Sequence, residues 1–418
     1  MNRPVLIVGS APRITIPIAR SLHGHGVPVE VASFSEVEPP PWCRAVSDFI
    51  RLPSADPRTE DRSSAFLESL TQLISQRQYD MLIPANDPAL ALISQHDACL
   101  RKLLHLACPP PQVVRRVLDK SLTLEIARKA GIYTPSTYRV SSPAELEVLF
   151  GQLLFPLVAK PYHKGEAMDF KVRYFPTYEL LYQELAADDN LRSKLLLQEF
   201  APGDGVGIEV LMDHGEPVAI FQHRRLKEVP ASGGVAAVAI AEPLEPMLVD
   251  QALALLRALE WEGVAMVEFR YDRARHHSSL MEVNGRYWGT LALAVQAGVD
   301  FPWYEWQIAH GEKPAVPLNY STGARWRWSA GYITRWHDLA KSSVRKALKH
   351  PAGLKELVPS CADLTSRDAL WDPADPMPAI GELLRTVKDL GVSDVKGIVR
   401  ALRPVVPRDH SPGAAKTP

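Results

Sequence analysis

The chain has 418 residues, 46% of them apolar and 23% charged, a balance that suits a soluble globular protein of two or three domains. Its 47 basic and 48 acidic residues leave a formal charge of −1, so no overall cationic field draws it to nucleic acid or to an anionic membrane. Four scattered cysteines (Cys43, Cys99, Cys108, Cys361) form no CxxC pair and read as reduced thiols of a cytoplasmic protein.

The opening MNRPVLIVGSAPR is too short an apolar run, and too soon followed by Arg13 and Arg20, for a signal peptide or a membrane span. Val5–Val8 predicts a buried strand running into a turn at Gly9, with a helix around Ile16–His25 and a second strand at Val29–Ala32. A helix over Ser64–Gln76, a strand at Met81–Pro84 and a helix around Pro88–His96 continue the alternation. That pattern predicts a doubly wound α/β domain. Gly9-Ser10-Ala11 lacks the GxGxxG spacing of a dinucleotide site and reads as a turn shaping a substrate pocket.

Cys108-Pro109-Pro110-Pro111 reads as a stiff linker. Asp119-Lys120-Ser121 then opens a helix that Gly131 stops. From Leu157 to about Asn284 strands dominate (LVAKP, KLLLQEF, GIEVLM, PVAIFQH, GVAMVEFRYD, SLMEVN), with helices at Thr177–Ala187 and Leu248–Leu259 and hairpin turns at DHGE and at Arg273–Ser278. This predicts an α+β domain of mainly antiparallel sheets. The Trp326, Trp328, Tyr332 and Trp336 segment reads as apolar anchoring, and the last dozen residues read as disordered. The expected division is 1–112, 113–197 carrying a lid, 198–320 carrying a metal site, and a partly helical extension over 321–418.

Glu282-Val283-Asn284-Gly285-Arg286 carries the strongest chemical signal. On an extended strand Glu282 and Asn284 share a face, and Glu268 in GVAMVEF would pair with that strand across the Arg273–Ser278 turn. Two adjacent carboxylates repel by about 4 kcal/mol near a protein surface, so a divalent cation with phosphate oxygens is the natural occupant. Lys160 ends a buried strand, and Lys120 stands at a helix start; either suits a phosphate. Gln198-Glu199-Phe200-Ala201 runs from strand into connection and could offer backbone groups to a base edge. The following Gly203, Gly205 and Gly207 read as a flexible hinge or turn. Gln222-His223-Arg224-Arg225-Leu226-Lys227 beside Ser232-Gly233-Gly234 gathers cations for a phosphate or a carboxylate, or else forms a solvated strand end. His276-His277 reads as a solvent-facing loop, and no GxSxG or HExxH motif occurs.

In order, DKS, AKP, QEFAPG, VEF and MEVNGR resemble the ATP-grasp superfamily, which includes biotin carboxylase, the carbamoyl phosphate synthetase synthetase domains and D-alanine–D-alanine ligase. The resemblance covers residues 119–300, preceded by a domain like that family's pre-ATP-grasp domain. It implies ATP and magnesium (or manganese) as cofactors, with Lys120 and Lys160 on the phosphates and Glu199, Phe200 and Ala201 at the adenine hinge beside Gln198. It further implies Glu209 on the ribose hydroxyls, Glu268, Glu282 and Asn284 on the metal, and Arg286 on the transferring phosphate. Arg225 and Lys227 join as cations of the neighbouring strand. Gly285, held by a larger residue in many relatives, carries no expected role. The loop after Lys160, Tyr162 to Ala167, departs from the glycine- and serine-rich form of the family.

The implied activity is a ligase joining a small-molecule carboxylate to an amine or similar nucleophile through an acyl phosphate, in a protein compatible with a homodimer. Arg13, Asn86 and Asp87 are expected to line the substrate cleft. An ATP-binding protein without ligase activity and a dinucleotide-dependent oxidoreductase remain as alternatives.

Overall fold

A computed structural model of the chain describes residues 2–35, 38, 40–55, 60–140, 142–161, 173–187, 195–231, 233–347, 363 and 365–391. Short aliphatic runs separated by helices build the first sheet: β1 (Val5–Val8), β2 (Val29–Ser33), β3 (Asp48–Arg51), β4 (Met81–Pro84) and β5 (His105–Leu106). All pairings are parallel, in the order β3-β2-β1-β4-β5. Every residue of β1 is buried, as a strand covered on both faces requires. Helices α1 (Pro12–Gly24), α2 (Glu60–Arg77), α3 (Asp87–Gln95) and α4 (Asp97–Leu100) make the connections.

The strand order reverses between β1 and β4, and an open α/β sheet takes its ligand in the crevice beyond that point. Gly9 turns there with φ +91, and a Cβ on it would stand 2.7 Å from the amide nitrogen of Asn86. Asn86 in turn caps α3 by accepting from the Ala89 N–H.

The run of prolines at 109–111 is not a linker. Pro111 opens a helix, α5 (Pro111–Leu118), whose Val113, Val114 and Val117 are buried in the main core. Proline at a first helical position loses no needed hydrogen bond, which is why the run starts a helix. Asp119 then caps α6 (Lys120–Lys129), its carboxylate accepting from the N–H groups of Ser121 and Leu122.

A second sheet, ordered β6-β9-β7-β8, is antiparallel and has a small core of its own around Leu146, Leu157, Phe175 and Leu197. It comprises β6 (Thr137–Arg139), β7 (Leu157–Pro161), β8 (Arg173–Phe175) and β9 (Leu195–Glu199), with helices α7 (Pro143–Leu149) and α8 (Tyr178–Ala187). The loop after Lys160, residues 162–167, lies outside the described residues.

The third sheet holds seven strands in the order β14-β13-β10-β11-β12-β15-β16. These are β10 (Asp204–Asp213), β11 (Glu216–Val229), β12 (Val235–Ala241), β13 (Gly263–Asp272), β14 (His277–Asn284), β15 (Arg325–Arg327) and β16 (Arg367–Asp368). The described residues beyond 320 are therefore woven into the fold: they supply the last two strands and the helices over Ser329–Ala347 and Met377–Asp389. One face of this sheet packs Ile208, Val210 and Val267 against Leu248 and Leu255 of the helix Pro246–Ala258. The other packs Leu211 and Phe221 with Trp288, Leu291 and Phe301, and with Ile14 and Ile18 of α1. Each fully buried Leu or Phe contributes roughly 1.5–3 kcal/mol. This shared core brings the crevice of the first sheet against one face of the third. Among the described residues no helix is long and apolar enough to cross a membrane.

Candidate active site

The β13–β14 hairpin fixes the acidic set. Glu268 pairs directly with Glu282 across the strands, and Asn284 faces Met266 one step along. The Asn284 amide nitrogen donates to Glu268 Oε1 at 3.2 Å and to Glu282 Oε1 at 3.3 Å, so the three side chains converge. Asn284 is buried, and the Glu268 carboxylate is only 12% exposed. Its second oxygen is held by the Arg225 guanidinium. Burial weakens the charged form of Arg225, but Glu268 and Glu228 more than offset this, and it remains a cation. Arg225 Nη1 also donates to the Gly234 carbonyl at 2.9 Å, and Glu228 is shared with Arg270 at 2.9 Å.

Arg225 can lean over β10 because that strand carries glycine where a side chain would stand. A Cβ on Gly205 would lie 3.0 Å from Arg225 Cδ, and one on Gly207 would lie 2.4 Å from His223 Cε1. Gly205 and Gly207 are thus members of a regular strand that admit neighbouring side chains, in place of the hinge or turn expected of them.

Lys160, at the end of β7, donates to Gln198 Oε1 at 2.7 Å, and Gln198 donates to Thr137 Oγ1 at 3.1 Å. Burial, reinforced by the Lys120 charge, pushes the Lys160 ammonium down to about 8, while Glu282 and Glu268 act in the opposite direction. Lys120 and Glu282 line one recess between α6 and β14. Two lysines and two glutamates from four separate elements therefore meet in one electrostatic neighbourhood.

At the end of β9, Glu199 accepts from Tyr138 at 3.3 Å, Phe200 is 48% exposed and Ala201 is buried. The N–H groups of Glu199 and Phe200 donate to the carbonyls of Ser136 and Pro156, which ties the segment to both neighbouring strands.

Two expected nucleotide contacts fall elsewhere. Glu209 is fully buried on β10, where Thr290 donates to it at 3.1 Å and His223 Nδ1 lies 2.8 Å away. Burial raises its carboxyl well above the ordinary range and lowers His223 to about 3; the pair lies enclosed between β10, β11 and Thr290. Lys227 is committed to the C-terminal segment: its ammonium meets Asp363 at 2.6 Å and lies over the Tyr332 ring. Gly285 has a clear role after all, since a Cβ there would come within 2.3 Å of the buried Trp261 ring.

Arg286 reaches across to the first sheet, pairing with both oxygens of Asp87 at 3.1 and 3.2 Å. The Arg13 guanidinium lies over the Trp328 ring, 3.7 Å from its centroid, and Trp328 donates its indole N–H to Glu382 at 3.0 Å. The turn after β1 is closed by the chain itself: Ser10 donates its N–H to Glu38, which also accepts from Ser33 and Asn86. Sequence reasoning missed Glu38, Trp328 as a site residue, Asp363 and Glu382, none of which belongs to a local motif. His276 and His277 are exposed, as expected.

Residues 192–332 match the family described as "ATP-grasp in the biosynthetic pathway with Ter operon". That segment carries the ATP-grasp match. Its structure is similar to that of the L-amino acid ligase from Bacillus licheniformis, with 20% identity over 74% of each chain and a TM-score of 0.57. N5-carboxyaminoimidazole synthetase from Staphylococcus aureus, solved with ADP, matches with 13% identity over 84% of this chain and 88% of that one, TM-score 0.60. The biotin carboxylase domain of Hydrogenobacter thermophilus 2-oxoglutarate carboxylase, solved with its ADP magnesium salt, ADP and bicarbonate, matches with 16% identity, 78% and 74% coverage and TM-score 0.61. At these identities the likeness is one of fold. No curated protein sequence matches the chain.

The donor chemistry of Glu268, Glu282 and Asn284 is compatible with a hard divalent cation such as magnesium. Among the described residues no group of three or more His, Cys, Asp or Glu is placed to hold a metal by itself. The Asn284 amide nitrogen faces both carboxylates here; turned over, the amide would present its oxygen beside them, an incomplete all-oxygen donor set of the kind that Mg²⁺ completes with phosphates and water.

Proposed function

We propose that the chain is an ATP- and Mg²⁺-dependent ligase that converts a small-molecule carboxylate to an acyl phosphate and couples it to an amine or similar nucleophile. The observation that carries this reading is the convergence of Glu268, Glu282 and Asn284 with Lys120, Lys160 and Arg225 at one place in an ATP-grasp fold. Glu268, Glu282 and Asn284 would hold the ion, Asn284 through its amide oxygen once the amide turns over. Bound there, Mg²⁺ would supply charge neutralisation to the phosphates.

Lys120 and Lys160 hold the β- and γ-phosphates, and Gln198 fixes the Lys160 ammonium for that task. Glu199, Phe200 and Ala201 flank the adenine. A substrate carboxylate oxygen forms a bond to the γ-phosphorus as the bond to the ADP oxygen breaks. Arg225 and Arg286 stabilise the charge on the transferring group. The nucleophile then adds to the acyl carbon, loses a proton and expels inorganic phosphate. No protein nucleophile is needed. The Asp87–Arg286 pair joins the crevice of the first sheet to this chemistry, which favours that crevice as the place of the second substrate.

A dinucleotide-dependent oxidoreductase finds no support, because the Ser10 N–H that would face a pyrophosphate is taken by Glu38. The test is phosphate release from ATP, with Mg²⁺ and a pool of carboxylates and amines, by the wild type and by Glu282→Gln. Release by the wild type that Glu282→Gln abolishes, in a variant that stays folded, supports the ligase. Equal release by the two proteins refutes the assignment.

A further inference from the structure

The cleft between the first sheet and the β10–β11 floor gathers three guanidiniums, and their partners differ. Arg225 is paired with Glu268 and Arg286 with Asp87. Arg13, on the first turn of α1, makes no hydrogen bond or ion pair among the described residues. Instead its guanidinium carbon lies over the Trp328 ring, 3.7 Å from the centroid, and Nη1 lies against Gly289, where a Cβ would stand 2.9 Å from it. Glu382, the nearest carboxylate to act on it, is engaged by the Trp328 indole N–H and stays outside ion-pair distance.

A cation in this setting is destabilised. Burial, together with Arg286 and Arg225 and against the pull of Glu382, lowers the Arg13 guanidinium to about 10. Such a fork, immobilised on an indole with its donors uncommitted, is built to take a planar or tetrahedral oxyanion in bidentate fashion. The carboxylate to be activated has its own cations, Arg225 and Lys160, around the acidic set. Arg13 is held instead beside Gly289, with Trp328 and Glu382 of the C-terminal segment next to it.

We infer that Arg13, stacked on Trp328, is the seat of a second oxyanion of the substrate, a carboxylate or a phosphate separate from the carboxylate that is activated. The inference rests on the ligase reading and assigns the C-terminal segment a share in specificity, since it supplies Trp328 and Glu382. The acid substrate is then at least dianionic, or the nucleophile carries an acidic group of its own.

The test is calorimetric titration of the full chain, with Mg-ADP present, by acetate, succinate and phosphoglycolate. Succinate or phosphoglycolate should bind about tenfold or more tighter than acetate, and the tighter of the two identifies carboxylate or phosphate as the second group. Arg13→Gln should erase that advantage and Arg13→Lys should keep part of it. Gly289→Ala, which displaces the guanidinium without removing its charge, should weaken the advantage too. Acetate and Mg-ADP affinities should change by less than about twofold in each variant. A wild type that binds both dianions no better than acetate, or an Arg13→Gln variant that keeps the preference, overturns the inference. If Mg-ADP binds normally in either case, the ligase reading survives that failure. If Mg-ADP itself does not bind the wild type, the nucleotide reading falls and the inference falls with it.

Discussion

Replacing Gly285 by alanine adds one methyl group at the point where the acidic strand leaves the sheet. Its Cβ would stand 2.3, 2.8 and 3.0 Å from three carbons of the Trp261 ring. Ordinary contact between carbons begins near 3.5 Å, so the ring or the strand must give by about an ångström. Trp261 cannot give easily: it is 1% exposed, and its indole N–H donates to the Val264 carbonyl at 3.1 Å. Forcing an extra methyl into such a core costs about 1–3 kcal/mol. The displacement falls between Asn284 and Arg286, so Mg-ADP binding should weaken along with stability.

Urea unfolding of the wild type, Gly285→Ala, Trp261→Phe and the double variant reads this directly. The account expects Gly285→Ala to lose about 1–3 kcal/mol and the double variant to lose less than the sum, because the smaller ring removes the atoms that collide. A Gly285→Ala protein within about 0.5 kcal/mol of wild type, or strictly additive losses, would refute the reasoning.

Two further expectations concern pH. Burial pushes the Lys160 ammonium down to about 8, and it must be charged to hold a phosphate. Between about pH 7 and about pH 9, Mg-ADP affinity should therefore fall about tenfold, as measured by calorimetry, and Lys160→Met should flatten that slope; an unchanged slope in the variant contradicts the role. Glu305 is buried and accepts from the Tyr287 hydroxyl at 2.7 Å, and burial raises it to about 7. Its folded value exceeds its unfolded one, so its stabilising contribution is complete below about pH 4.5, declines upward, and is gone above about pH 7. Glu305→Gln should remove up to about 3 kcal/mol of pH-dependence between those limits in urea unfolding, and a curve parallel to wild type would show that Glu305 is not the group responsible.

Much of the fold can be read in the chain because its strands obey simple patterns. The buried run Val5–Val8 and the alternation from Glu268 onward give strand identity directly. The short turn between β13 and β14 makes their pairing legible, but a bulge between Glu268 and Phe269 shifts the register by one residue, and only that shift sets Glu268 opposite Glu282. What escaped was long-range. Lys227 looks like a phosphate cation within its own basic strand, and only Asp363, 136 residues away, shows where its charge goes. Glu209 sits on an alternating strand like Glu268, but the packing of Thr290 above it turns it into a buried core group. The prolines of 109–111 resemble a linker locally, yet the valines that follow have a core to enter. The partner of Arg13 arrives from residue 328, after a long interval without motif.

The account depends on Glu268, Glu282 and Asn284 forming one divalent-cation site that serves a nucleotide. The most direct measurement is Mn²⁺ binding, followed by its electron paramagnetic resonance signal, with and without ADP, in wild type, Glu268→Gln and Glu282→Gln. The account predicts that ADP tightens Mn²⁺ binding to the wild type well beyond its tightening by ADP free in solution, and that either substitution abolishes the gain. Undiminished ADP-linked Mn²⁺ binding in both folded variants would contradict it.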